Sequence, residues 1–158
     1  MKCIFNFLFY IFSLNICFSA SYESNSINTV KSTKVINLPD GSSYSTLEVD
    51  GSGSNNLGIY EIIYCAGHRI SKNSKLIQQD FYCNVELSNN DYYTFLMKRS
   101  ETDTDAGVGY IVIAGGSKPF EQIKNKKCNY AVSFFRDQAY VKIKCEVDED
   151  FLKEFQQL

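Results

Sequence analysis

At 158 residues, with 44% apolar, 15% aromatic and 22% charged residues, the chain is sized for one compact domain. It is too rich in core-forming residues for a disordered tail and too short for two large domains. Sixteen basic residues against 18 acidic ones, net −2, give no overall field that draws in nucleic acid, so any such binding must rest on a local patch.

The first predicted element is residues 1–20. Lys2 precedes an apolar run from Ile4 to Phe12, and the small residues Ser19, Ala20 and Ser21 follow where a signal peptidase cuts, the pattern of a secretory signal peptide. A membrane-spanning helix wants about 20 uninterrupted apolar residues. Asn6 and Asn15 interrupt this run, so a membrane anchor is the lesser alternative. The expectation is a secreted, soluble protein without membrane contact once the signal is removed.

Cleavage takes away Cys3 and Cys17 and leaves Cys65, Cys83, Cys128 and Cys145, with 15 basic against 18 acidic residues. Four cysteines in an exported chain point to two disulfides. A zinc site is the rival, but no pair has C-x-x-C spacing and the single histidine, His68, cannot complete a Cys/His set. No metal and no cofactor are expected.

Residues 21–57 are rich in Ser, Asn and Gly and end in Asp50-Gly51-Ser52-Gly53-Ser54-Asn55-Asn56, which reads as a flexible connector. Within this polar N-terminal extension, 34–38 and 43–49 flank the turn sequence Pro39-Asp40-Gly41-Ser42, so the segment is either a short added hairpin or largely disordered. The main domain is expected at 58–145. Residues 59–65 are β-branched and aromatic, a strand signature, and 66–70 turn the chain. Ser71 then caps a helix whose face is Ile70, Ile77, Phe81 and Val85, running to about Leu87 with Cys83 on it.

Further strands are read at 92–98, 108–114, 129–136 and 140–145. One helix and an antiparallel sheet make an α+β domain. The acidic segment 99–107 contains Asp103 and Asp105 but lacks the ligand set of an EF-hand loop, so it is read as a solvated loop. Gly115-Gly116-Ser117-Lys118 lacks P-loop spacing and is read as a turn before Pro119, with no helix after it. In the C-terminal tail, 146–158, Phe151, Leu152, Phe155 and Leu158 lie on one face behind acidic residues, which predicts a short final helix.

Cys65 ends the first strand of this domain, Cys83 follows eighteen residues on in the expected helix, Cys128 opens a late strand and Cys145 closes the last. With this spacing, and with Cys128-Asn129-Tyr130-Ala131 as the nearest local match, 58–145 resembles the small secreted microbial ribonucleases of the T1/F1 type. The resemblance implies one helix packed on an antiparallel sheet and the pairings Cys65–Cys145 and Cys83–Cys128. It also implies a glutamate base, a histidine acid and an arginine against the phosphate, and these are missing here. Arg136 stands in the histidine's place and Glu121 near the arginine's place. The strand that would carry the glutamate reads Tyr110-Ile111-Val112-Ile113, and His68 lies elsewhere.

A secreted ribonuclease scaffold without its catalytic groups is similar to the ribonuclease-like effectors of powdery mildew fungi, the RALPH group, although the early aromatic-x-Cys motif falls here at Phe81-Tyr82-Cys83. That resemblance implies a non-catalytic, monomeric effector delivered into host cells, with a host plant protein, an immune receptor among the candidates, or RNA as partner. Tyr93, Arg136 and Tyr140 are its candidate contacts. An RNA-binding pseudo-ribonuclease, with Lys118, Lys124, Lys126, Lys127, Lys142 and Lys144 as a basic patch beside tyrosines, and an active guanyl-type ribonuclease are the alternatives.

Overall fold

The computed structural model describes residues 20–103 and 106–156; the signal-peptide assignment falls almost wholly outside them. The chain forms eight strands, β1 (Ala20–Asn37), β2 (Ser43–Asn55), β3 (Tyr60–Lys72), β4 (Lys75–Leu87), β5 (Tyr92–Asp103), β6 (Ala106–Gly116), β7 (Lys127–Phe135) and β8 (Gln138–Val147). Two short helices accompany them, α1 (Lys118–Gln122) and α2 (Glu149–Gln156). Every strand pairs antiparallel with its sequence neighbours and β8 pairs with β1, so the sheet closes into a barrel with strands in sequential order. The ribonuclease-like α+β fold is therefore corrected to an all-β up-and-down barrel.

The largest local correction is at 71–87. Ile70, Ile77, Phe81 and Val85 suit a helical face, but in β4 the buried residues are Leu76, Gln79, Phe81, Cys83, Val85 and Leu87, while Ile77 is exposed. A period of two wins because β4 lies between two paired neighbours: Cys65 of β3 stands opposite Cys83, and Cys83 opposite Phe95 of β5. The expected turn at 66–70 is instead the second half of β3.

The disulfides follow from this register. Cys65 bonds Cys83 and Cys128 bonds Cys145, each joining one pair of adjacent strands, so the implied pairings Cys65–Cys145 and Cys83–Cys128 are overturned. All four cysteines point into the barrel and are buried. Two disulfides are consistent with a secreted protein.

Residues 21–57, expected as an extension, supply β1 and β2 and complete the wall. The turn at Pro39-Asp40-Gly41-Ser42 does join a hairpin, with Val35 opposite Ser45 and Asn37 opposite Ser43. The acidic segment 99–107 is mostly strand; Asp105 lies outside the described residues, as does Leu158. A five-residue helix, α1, follows Ser117 with Pro119 in its first turn, a position where proline's missing N–H costs nothing.

The two ends of the barrel differ. At one end α1 and α2 pack Phe120, Phe151 and Phe155 around Tyr22, with Tyr22–Phe120 and Tyr22–Phe151 centroids 5.7 and 5.8 Å apart, and Phe120 stacks on Tyr93 at 4.2 Å. This aromatic plug closes that end. Among the described residues, the other end carries hairpin turns, at 38–42, 73–74 and 136–137. The β5–β6 pairing runs from Tyr93 opposite Gly116 at the plug end to Lys98 opposite Tyr110, while the tail of β5 pairs with β4 and the head of β6 with β7.

Candidate functional site: a cavity inside the hairpin end of the barrel

Alternation along each strand sends one set of side chains inward, and in β1 that set is polar: Tyr22, Ser24, Ser26 and Asn28 are all buried. Under the plug, Tyr22 Oη–H donates to Glu61 Oε1 at 2.7 Å and Ser24 Oγ–H donates to Glu61 Oε2. Burial raises the Glu61 pKa, against the opposing effect of these hydrogen bonds. Burial and the nearby Glu61 also raise the Tyr22 and Tyr93 phenols. Both Glu61 oxygens have donors, so this group is a satisfied structural network.

Toward the hairpin end the interior opens into a cavity of about 60 Å³, room for about two water molecules at roughly 30 Å³ each. Its apolar lining includes Leu47, Phe81, Phe95 and Met97, and its polar lining includes Asn28, Arg69 and Tyr130. Two glycines make room for the polar side chains. A Cβ on Gly51, opposite Asn28, would stand 1.9 Å from Asn28 Oδ1, and a Cβ on Gly109, opposite Tyr130, would stand 2.6 Å from the Tyr130 ring.

Three of the atoms in this lining are buried without a hydrogen-bond partner: Asn28 Oδ1, Arg69 Nε and Tyr130 Oη. Asn28 Nδ2, by contrast, donates to Ser26 Oγ at 2.9 Å and to the Ala139 carbonyl at 3.3 Å. Tyr130 is pushed up to about 12 by burial, with Arg99 acting in the opposite sense. Arg99, itself buried, donates from Nη2 to the Ala106 carbonyl at 3.2 Å and lies 5.9 Å over the Phe134 ring. Burial lowers its pKa, and the Arg69 charge adds to that. Buried polar groups in native proteins nearly always find partners, so three orphans around one cavity mark it out.

The residues singled out from sequence lie elsewhere and do not assemble. Tyr93 is 1% exposed in the core and is not a surface contact. Tyr140 is on the outer wall, and Arg136 sits in the β7–β8 turn at φ 58°, 5.3 Å from the Phe135 ring. Lys118 pairs with Glu154, Lys124 with Glu121, and Lys142 and Lys144 with Glu23, which sets three carboxylates against the six lysines of the supposed basic patch. Lys126 is half-buried in the segment before β7, and Lys127 lies 3.9 Å over the Tyr110 ring. His68 is on the outer face of β3, stacked on Tyr44 at 5.4 Å and 3.9 Å from Asp80.

A wide groove of about 940 Å³ also runs along the outer wall past Tyr60, Ile62 and Tyr140. Among the described residues, none of the unpartnered buried atoms belongs to its lining. Among the described residues no cluster of three or more His, Cys, Asp or Glu is arranged to hold a metal ion, and no helix is long and apolar enough to cross a membrane.

Sequence reasoning missed Asn28, Arg69 and Tyr130. A parity signal was available, since disulfide cysteines face inward: Arg69 is four residues from Cys65 and Tyr130 two from Cys128, so both share the cysteines' face if the strands run on. Comparison of the chain with protein-family models, with curated proteins and with solved structures finds no match.

Proposed function

We propose that this protein is an exported binding barrel that holds one small ligand in the cavity at its hairpin end. Eight strands enclose an interior that side chains just fill or that holds one small ligand, and this barrel does the first under the plug and the second at the other end. The carrying observation is the set of unpartnered Asn28 Oδ1, Arg69 Nε and Tyr130 Oη around one cavity. An orphaned buried group costs about 1–3 kcal/mol, which a bound partner recovers. The effector reading drew on the ribonuclease resemblance, whose fold is corrected above, and no described residue recommends it over ligand capture.

The test is an NMR screen of the oxidised protein against neutral and acidic fragments of about two to three heavy atoms. Binding inside the barrel should shift the amide signals of Asn28, Leu47, Arg69 and Tyr130 together, and the cavity-filling variant Leu47→Phe should abolish those shifts while remaining folded. If no fragment moves these signals, or if the shifts map to the outer groove, the reading fails.

A further inference from the structure

We infer that the outer wall over β3, β4 and β5 is the contact face of a symmetric dimer, with a second copy of this chain as its occupant. The inference concerns the outside of the barrel and does not depend on the cavity.

Strand register decides which residues share this face. Ile63, Cys65, Cys83 and Val85 are buried, so the residues between them in β3 and β4 point outward. Ile62, Glu86 and Tyr92 stand in one row across the three strands, and Ala66, Tyr82 and Leu96 stand in another. Tyr64, Asn84 and Thr94 form the row between them. Glu86 carries the only charge in the block. The wall over β8 and β1, by contrast, carries the ion pairs of Glu23 with Lys142 and Lys144.

The size of the face suits an interface. Tyr64 and Tyr92 are 50% exposed, Ile62 64%, Tyr82 71%, and Tyr60 at the border of the block 72%. At roughly 200 Å² for a tyrosine, these side chains leave roughly 600 Å² of largely aromatic surface in water. That is the upper limit of the largest patch on an ordinary monomer, about 600 Å². Two such faces in contact bury roughly 1,200 Å², where specific interfaces begin. Exposed tyrosine in a charge-poor patch is also the composition that carries binding energy between proteins.

The face complements itself, which selects a second copy as its occupant. A two-fold axis along the row of Tyr64, Asn84 and Thr94 exchanges the two outer rows, as an isologous contact requires. Glu86 then meets the second copy's Tyr82, whose hydroxyl donates to the carboxylate, and no like charges are opposed. Tyr92 meets Leu96 and Ile62 meets Ala66, so each bulky side chain of one row faces a smaller one of the other. No lysine or arginine stands in these rows to hold an anionic lipid surface.

The experiment is sedimentation equilibrium of the full oxidised protein. A dissociation constant on the order of 10 µM is expected, the weak end for an interface of this kind, so concentrations should run from about a tenth to about ten times that value. Ile62→Lys and Tyr82→Lys each place a charge on the face and should weaken the dimer about tenfold or more, with urea midpoints close to the wild type because both sites are exposed. Tyr140→Lys, on the β8 wall, should leave it unchanged. A short bis-maleimide should link two copies of Asn84→Cys, which sits on the axis, and should not link Glu48→Cys on β2.

A protein that stays monomeric at the highest concentration overturns the inference, whether or not it binds lipid vesicles. A dimer that survives both lysine variants, or that Tyr140→Lys breaks, uses another surface and overturns it equally. Cross-linking through Glu48→Cys but not through Asn84→Cys overturns the axis and the face together.

Discussion

Tyr130 occupies the space that a side chain at Gly109 would need: a Cβ there would stand 2.6 Å from ring atom Cε1 and 2.8 Å from Cζ. The two residues face each other across β6 and β7, so a bare patch of wall receives the ring while its hydroxyl reaches the cavity unpartnered. The pairing explains a glycine in mid-strand, a place where it otherwise weakens a sheet.

Two substitutions test this relationship in opposite directions. Gly109→Ala should destabilise the protein by about 1–3 kcal/mol through overpacking, since the new methyl group also meets the Lys98 carbonyl at 2.4 Å. Tyr130→Phe removes a hydroxyl that bonds nothing and should be neutral or slightly stabilising. Urea midpoints with unchanged slopes would measure both. A loss of 2 kcal/mol or so in Tyr130→Phe would mean the hydroxyl already has a partner.

The disulfide pattern separates the barrel from the ribonuclease scaffold. Proteolysis without reductant should release one peptide pair linked through Cys65 and Cys83 and another through Cys128 and Cys145. Replacing both Cys128 and Cys145 by Ala should cost roughly 2–4 kcal/mol, the usual value for a loop of this length. Recovery of Cys65 linked to Cys145 would contradict the register of β3 with β4.

The plug should be worth more than any single surface contact. Phe120 is fully buried against Tyr93 and the two α2 aromatics, so Phe120→Ala should cost about 3–5 kcal/mol. Phe151→Ala should behave alike, and the two losses should fall short of additive because the rings touch. Thermal unfolding of the two single variants and the double variant measures this. Full additivity would mean the rings do not pack as a unit.

Glu61 sets a pH dependence of stability. Its folded-state pKa lies above the ordinary 4.5 because of burial, so between those values the folded protein keeps a proton that the unfolded chain has lost. The contribution is fully present below pH 4.5 and declines as pH rises through the folded-state value. Glu61→Gln, which keeps an acceptor for Tyr22, should remove this decline and gain on the wild type as pH rises above the ordinary 4.5. Denaturant midpoints of both proteins across that range decide the matter, and a difference that does not change with pH refutes it.

Much of the wall was legible residue by residue. The runs at 92–98, 108–114, 129–136 and 140–145 carry β-branched and aromatic residues and are strands. Asp40 holds its turn by accepting from the Ser42 amide at 3.0 Å, and Gly41 takes φ 79°, as the local sequence asks. Two disulfides, consistent with a secreted protein, follow from the cysteine count.

Other features were not local. In β1 the inward residues Ser24, Ser26 and Asn28 are as polar as the outward ones, because they face Glu61 or the cavity, so no alternation of hydrophobicity announces a strand. In β4 an apolar residue falls on both faces at Leu76 and Ile77, and either period fits until the neighbours are in place. Which cysteine meets which, and whether Arg69 and Tyr130 share one cavity, depend on register, and register belongs to pairs of strands.

By itself, then, the sequence determined the strands at 59–65, 92–98, 108–114, 129–136 and 140–145, the turn at Pro39-Asp40-Gly41-Ser42 and that Cys65, Cys83, Cys128 and Cys145 are oxidised. Closure of β1 on β8, the disulfide partners and the cavity were decided only by the tertiary structure. Each of these requires residues far apart in the chain to meet, and the free energy that selects them comes from burial and hydrogen bonding across strands.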